Sequence, residues 1–276
     1  MTPMITTLYS ILTGARKHGK AAAQFNIWNC ELLFGVLDAV ERLQIPAILA
    51  TGTAFLPMKE LIPFASMMWR AALDSDVPLA LHLDHAKSVC EVAAARDAGF
   101  TSAMIDGSAL SLEGNIALTL AARRITGPAG MSLEGELGYV GAELGGDGEE
   151  LVATPACDAA RFATETGVDA LAVSIGNAHG PYKRKPKLDF EALMTIASTV
   201  ELPLVLHGGS GIPDEDIRKS IQMGVTKLNF HTELCLAAAS AGSSGNYRHD
   251  TREARSRIAQ KAMEKLMLVE NEKTMH

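Results

Sequence analysis

The sequence has no long hydrophobic run and no excess of positive charge. No stretch approaches the roughly 18 apolar residues of a membrane-spanning helix, and the N-terminal segment lacks an apolar core followed by a cleavage site. These absences favour a cytoplasmic protein without membrane contacts. A formal net charge of -7 over 276 residues provides no basic face for nucleic acid or anionic lipid. A small-molecule partner is therefore expected.

Cysteine is scarce, and its spacing excludes two further classes of protein. The four cysteines, Cys30, Cys90, Cys157 and Cys235, show no CxxC spacing, so neither a thiolate zinc site nor a disulfide framework is indicated. The sequence also has no GxGxxG motif after its first predicted strand, which disfavours a dinucleotide-binding open sheet.

What the sequence does have is a regular alternation of short apolar runs and amphipathic stretches. This alternation is typical of parallel sheets built from βα units. About eight such units in 276 residues predict a single-domain (β/α)8 TIM barrel over residues 1–276, with a C-terminal helix at about 250–270. The strands are predicted at 21–26, 47–52, 78–84, 101–106, 130–137, 170–176, 202–208 and 226–230.

Polar side chains stand at nearly every predicted strand end, where the site of a barrel enzyme lies. Three of them are histidines from strands three, six and seven, and three imidazoles with an open fourth position are typical of catalytic zinc. His82 is interpreted as a structural residue within the barrel. The strand-end residues are Asn26, Thr51, Asp84, His85, Asp106, Glu134, Glu136, His179, His207 and Asn229.

A phosphate pocket is predicted beside these histidines. The segments "HGGSG" (207–211) and "NFHT" (229–232) follow strands seven and eight, where barrels commonly hold phosphate. Glycines allow close approach of an anion, Ser210 and Thr232 add hydroxyls, and a helix beginning near Thr232 directs its positive end there. Gly180 and Lys183 of "HGPYK" could complete the pocket.

A metal beside a phosphate pocket favours carbonyl chemistry on a phosphorylated compound. Three alternatives remain open from the residues alone. A Schiff-base aldolase would need Lys87 or Lys227, a barrel hydrolase would use zinc-bound hydroxide, and a non-catalytic phosphosugar-binding protein would bind without proton exchange.

Six motifs resemble those of the class II, zinc-dependent ketose-bisphosphate aldolases, which include fructose- and tagatose-bisphosphate aldolases. They are "HLDHAK", "MIDGS", "EGELG", "AVSIGNAHGPY", "VLHGGSGIP" and "KLNFHTEL", in family order across nearly the whole chain. The resemblance implies reversible cleavage of a ketose 1-phosphate or 1,6-bisphosphate to dihydroxyacetone phosphate and an aldehyde, through a metal-stabilised enediolate.

The resemblance also implies roles for particular residues. His85, His179 and His207 match the zinc ligands, and Asp84 matches the acid/base that handles the C4 hydroxyl. Asp106 and Glu136 match a second cation position or orient the histidines. Asn229 would also contact the enediolate, and the residues that match the dihydroxyacetone phosphate segments are Gly180, Gly208, Gly209, Ser210, Asn229, His231 and Thr232.

The sequence departs from the family pattern in two places. The register of "GAELGGDGEE" leaves the proton-abstracting base open between Glu143, the first choice, and Glu149 or Glu150. His231 stands where many members have an acidic or small residue, which predicts a different pocket for the aldehyde. "FNIWN" and "NFHTELC" are closer to a sugar-catabolic subgroup, and the family resemblance implies a homodimer or homotetramer.

Overall fold

A closed barrel of eight parallel strands forms the centre of the protein. The computed structural model describes residues 4–138, 153–178, 180, 182 and 186–270. Each strand pairs with the next along the chain, and the last pairs with the first, as the sequence predicts for a TIM barrel. The strands are β1 (Ala22–Asn26), β2 (Ala47–Thr51), β3 (Leu79–Ala86), β4 (Ser102–Ile105), β5 (Ser132–Leu137), β6 (Ala170–Val173), β7 (Leu204–Leu206) and β8 (Val225–Phe230).

Helices surround the barrel and connect its strands. Among them, in the described residues, no helix is long and apolar enough to cross a membrane. The helices are α1 (Leu8–Lys17), α2 (Cys30–Leu43), α3 (Met58–Leu73), α4 (Val89–Asp97), α5 (Leu112–Thr126), α6 (Ala156–Thr166), α7 (Phe190–Thr199), α8 (Asp214–Gln222), α9 (Thr232–Ala239) and α10 (Tyr247–Val269).

Local sequence signals set the ends of several helices. The side chain of Ser88 accepts a hydrogen bond from the Glu91 amide, and Glu91 reciprocates, so α4 begins with a capping box. Asn29 caps the first turn of α2 in a similar way. Helix α6 ends where Gly167 takes a left-handed conformation, which costs little without a side chain.

Strand alternation divides the barrel side chains into two groups. In β5, Leu133 and Leu137 face the helices as part of the main core, whereas Glu134 and Glu136 face the barrel interior. The interior is apolar only at the N-terminal end of the strands, where the side chains of α1 close it. That second cluster consists of Leu8, Ile11, Leu12, Ala22, Ile48, Ala80, Ala170, Ala172 and Val205. Polar interior residues are therefore concentrated at the open, C-terminal end.

The predicted C-terminal helix is present as α10, and it packs closely on α2. A side chain added at Gly35 would come within 2.7 Å of Ile258 Cγ2, so the glycine permits the close contact. Arg255 makes two hydrogen bonds of 2.6 Å with Asp38 at the edge of the same contact. The Arg255 guanidinium is therefore engaged with a carboxylate of the neighbouring helix.

Candidate active site

The end of β3 departs from regular strand geometry. His85 has a φ of 50°, and the pairing of β3 with β4 shifts register between Leu83 and Ala86. Such a bulge redirects a side chain, so Asp84 and His85 both reach the site although they are consecutive. The sequence predicted a strand ending at Asp84, and the structure extends β3 to Ala86.

Two histidine rings meet edge to face at the open end of the barrel. His85 Nε2 and His207 Nδ1 are 3.0 Å apart. The other nitrogen of each ring contacts a carboxylate: His85 Nδ1 lies 2.9 Å from Asp106 Oδ2, and His207 Nε2 lies 3.0 Å from Glu134 Oε1. Because ionised carboxylates only accept hydrogen bonds, both of these outer nitrogens carry protons.

This arrangement fits a cation held by the two rings. In the neutral rings, the facing nitrogens present lone pairs, which repel at this distance unless a proton or a cation lies between them. Carboxylates that hold the outer nitrogens fix the tautomer and orientation that a metal requires. Burial opposes protonation of His85, but the charge of Asp84 and the contact with Asp106 raise its pKa to about 9. The electrostatic field therefore favours positive charge at this point.

Asp84 is buried beside the two rings. Its Oδ2 accepts a 2.7 Å hydrogen bond from Asn26, and its Oδ1 has no hydrogen-bond partner among the described residues. One ligand atom from each of Asp84, His85 and His207 falls within a 4.8 Å cluster. Burial alone would raise the pKa of Asp84, but the charges of His85 and His207 hold it below its usual range.

A second group of possible ligands shares His85 with the first. His85, Asp106 and Glu136 also place one ligand atom each within 4.8 Å of one another. Burial raises the pKa of Glu136 to about 8, and its Oε2 lacks a hydrogen-bond partner in the described part of the chain. The roles of second cation site and histidine support are both compatible with this geometry.

A buried ion pair lies beneath the histidines. Lys227 Nζ contacts the Oε1 and Oε2 atoms of Glu134 at 2.9 and 2.7 Å, and neither side chain is exposed. His82 lies beside them, with Nδ1 2.9 Å from Ser102 Oγ. Burial lowers the pKa of His82 to about 3, so this ring is neutral. The interpretation of His82 as a structural residue agrees with this position.

The sequence did not identify the role of this pair. Lys227 was considered only as a Schiff-base lysine, yet its ammonium is held by Glu134. The ammonium of the other candidate, Lys87, contacts Asp106. The signal that could have revealed the pair is the alternation of side chains along a strand. This alternation places Glu134 of β5 and Lys227 of β8 in the barrel interior, where buried opposite charges must pair.

The glycines after β7 allow close backbone contacts. Gly208 has a φ of 67°, and a side chain there would lie 1.9 Å from the Ala178 carbonyl oxygen. The Gly209 amide donates to the Asn229 carbonyl at 3.0 Å, so it is not directed at a ligand. Ser210 Oγ accepts from the His231 amide at 3.1 Å. These contacts bring the predicted phosphate segments after β7 and β8 together.

A cavity of about 400 Å³ opens over these groups. It brings together most of the residues selected from the sequence and adds Ala54, Phe55, Ser108 and Ala109 to them, and it is also lined by Lys87, which the sequence named only for the Schiff-base alternative. His179, Lys183 and the loop carboxylates Glu143, Glu149 and Glu150 lie outside the described residues. The cavity is lined by these residues selected from the sequence: Asn26, Asp84, His85, Asp106, Glu136, Gly180, Gly208, Ser210, Asn229, His231 and Thr232.

Comparison with known proteins assigns this chain to a class of enzymes. The sequence model of class-II fructose-bisphosphate aldolase matches residues 6–274. The chain therefore belongs to the class II fructose-bisphosphate aldolase family, whose members are aldehyde-lyases. It is an enzyme of that class, a carbon–carbon lyase.

Particular relatives agree with the assignment. The YdjI protein of Escherichia coli K12 is 42% identical over 255 residues, which cover 90% of this chain and 91% of YdjI. The crystal structure of the YdjI aldolase superimposes with a TM-score of 0.88 at 38% identity, covering 96% of this chain and 97% of that chain.

More distant structures share the same fold. A proposed fructose-1,6-bisphosphate aldolase of Coccidioides immitis has a TM-score of 0.86 at 28% identity, with 96% of each chain covered. Fructose-bisphosphate aldolase of Campylobacter jejuni has a TM-score of 0.82 at 23% identity, covering 96% of this chain and 95% of that chain.

Proposed function

We propose that this aldolase depends on zinc and reversibly cleaves a ketose 1-phosphate or ketose 1,6-bisphosphate to dihydroxyacetone phosphate and an aldehyde. The observation that carries the proposal is the 3.0 Å approach of His85 Nε2 and His207 Nδ1, with the opposite nitrogens directed to carboxylates. His179 is proposed as the third ligand. Bound zinc would act as a Lewis acid that stabilises the enediolate of the three-carbon fragment.

Different residues around the histidines are proposed to act on different parts of the substrate. Asp84 is proposed to move the proton of the C4 hydroxyl, because its buried Oδ1 is available beside the rings. Asn229 is proposed to contact the enediolate, since its Nδ2 lies 3.3 Å from His207 Nδ1. Glu143 remains the proposed base for dihydroxyacetone phosphate. His85, Asp106 and Glu136 are proposed for a second cation.

The phosphate of the three-carbon unit is proposed to lie between the loops after β7 and β8. Helix α9 begins at Thr232 without a cap from the His231 side chain, so its positive end is available to an anion, although the Glu233 amide already lies 3.5 Å from Ser210 Oγ. The small residues after β7 allow that anion to approach the backbone. The proposed phosphate-binding residues are Gly180, Lys183, Gly208, Ser210, His231 and Thr232, and Gly209 is proposed only as a position without a side chain, since its amide is bonded to the Asn229 carbonyl.

The remaining properties follow from family membership and composition. The whole chain, residues 1–276, is proposed to form one domain that acts in the cytoplasm. A homodimer or homotetramer is proposed as the assembly, and a small-molecule phosphosugar as the substrate.

The proposed function predicts metal-dependent proton exchange. Dihydroxyacetone phosphate incubated with the enzyme in D2O is expected to lose one hydroxymethyl proton stereospecifically, as followed by NMR. Chelation should abolish the exchange and zinc should restore it, because the enediolate requires the Lewis acid. The experiment needs no knowledge of the aldehyde.

Two controls make this result decisive. The chelated protein should keep its circular dichroism spectrum, which excludes unfolding as the cause of any loss. A folded, zinc-loaded enzyme that neither binds dihydroxyacetone phosphate nor exchanges its proton would refute the proposed substrate.

A further inference from the structure

Three aromatic rings form a cluster beside the cavity, on the arc between the phosphate segments and Asp84. Trp28 follows β1, Phe55 follows β2 and His231 follows β8. Because β8 pairs with β1 and β1 with β2, these three strand ends are neighbours around the barrel. The cluster therefore occupies one continuous part of the rim.

The rings hold one another in fixed positions. Trp28 stacks on Phe55, with centroids 5.1 Å apart and planes 11° apart. His231 meets Trp28 edge to face at 4.8 Å and Phe55 at 4.9 Å. Phe55 and His231 line the cavity, whereas Trp28 packs against the main core behind them. Offset and edge-to-face pairs of this kind stabilise a rigid surface.

The backbone places this surface next to Asp84. A side chain added at Gly52 would lie 2.4 Å from the Asp84 carbonyl oxygen, so the loop after β2 lies directly against the end of β3. The Phe55 amide then donates to the Gly52 carbonyl at 3.0 Å, which closes the turn that carries the ring. Ala54, from the same turn, also lines the cavity. The turn that carries the ring thus lies against the residue proposed to act on the aldehyde fragment.

We propose that Phe55 and His231, supported by Trp28, form the wall that binds the carbon chain of the aldehyde fragment. The inference rests on the proposed function and specifies its second substrate as a hydroxyaldehyde of three or more carbons, whose C–H face packs on the rings. Aromatic surfaces bind such carbon chains by excluding water from them. The wall determines specificity and takes no part in the chemical step.

The test compares aldehydes of increasing length in condensation with dihydroxyacetone phosphate. Glycolaldehyde, glyceraldehyde and erythrose are used with the zinc-loaded enzyme, and kcat/KM is measured for each aldehyde. The wild-type enzyme is expected to favour glyceraldehyde over glycolaldehyde by about tenfold, since one carbon packed on an apolar wall is worth about that factor. Phe55→Ala should reduce this ratio to about two.

Three further variants distinguish the effect of losing the wall from that of a general loss of structure. Phe55→Leu should retain most of the preference, because leucine still covers the cavity wall. Trp28→Leu should lower it, since the support behind Phe55 is lost. Tyr247→Ala removes a ring that is 81% exposed on α10 and should leave the ratio unchanged.

Proton exchange of dihydroxyacetone phosphate distinguishes failure of this inference from failure of the proposed function. The exchange rate of Phe55→Ala is expected within twofold of wild type, because the Phe55 ring is proposed to face the aldehyde and not the three-carbon unit. If the wild-type enzyme exchanges the proton and Phe55→Ala keeps the wild-type ratio of kcat/KM between aldehydes, the proposed wall is wrong. An equal loss of exchange and condensation would also overturn it, by placing Phe55 against dihydroxyacetone phosphate. A folded, zinc-loaded wild-type enzyme that neither binds dihydroxyacetone phosphate nor exchanges its proton would refute the proposed function itself.

Discussion

Asp84→Asn is expected to lower the rate of carbon–carbon cleavage by at least 100-fold, roughly the contribution of a positioned acid or base, while zinc stays bound. The amide is nearly isosteric, and its oxygen can still accept the 2.7 Å hydrogen bond from Asn26. It cannot take up a proton from the C4 hydroxyl. The measurement combines the cleavage rate with the zinc content of the purified variant.

The half-reaction on the three-carbon fragment shows whether Asp84 has this role. Proton exchange of dihydroxyacetone phosphate should continue in Asp84→Asn, because we propose a different carboxylate, Glu143, as the base of that step. The competing possibility is that Asp84 is itself a metal ligand, since it clusters with His85 and His207 within 4.8 Å. In that case the variant would lose zinc, cleavage and exchange together. Cleavage at a near-normal rate would remove Asp84 from the mechanism altogether.

The barrel was predictable from sequence because its signal is repeated. Each βα unit combines a short apolar run with an amphipathic helix, and the repetition of eight units leaves few other folds. Strand ends were less predictable. The predicted strands 170–176 and 202–208 are observed only as Ala170–Val173 and Leu204–Leu206. In both, the chain turns away from the sheet towards a glycine of positive φ, Gly176 and Gly208 respectively.

The candidate site was predictable from sequence only for residues whose type alone indicates their chemistry. Histidines and carboxylates at strand ends indicated a metal, since packing gives no reason for them there. Contacts between distant elements were not predictable. The bulge at His85 is a backbone feature set by pairing with β4, and the rings of Trp28, Phe55 and His231 meet only through barrel closure. The roles of Glu134 and Lys227 depend on a partner 93 residues away in the chain.

Lys227→Met is expected to destabilise the protein by roughly 3–5 kcal/mol, the usual cost of removing one partner from a buried ion pair. Glu134 would remain wholly buried without the ammonium that now contacts both of its oxygens. For a chain of this size, the midpoint of thermal unfolding should fall by roughly 10 °C. Zinc affinity should also fall, because Glu134 orients the His207 ring through a 3.0 Å contact.

Two companion variants separate the buried charge from the loss of lysine packing. Lys227→Met combined with Glu134→Gln leaves no unpaired charge, and the amide oxygen can still accept from His207 Nε2, so this double variant should recover much of the lost stability. Arg70→Met removes an ion pair with Asp74 at the surface, where the two side chains are 72% and 62% exposed. This variant should change the midpoint of thermal unfolding little. If the single and double variants unfold at the same temperature, the charge of Glu134 is not what Lys227 stabilises. The ion pair would then act through packing alone, and its contribution to the orientation of His207 would have to be measured by zinc affinity.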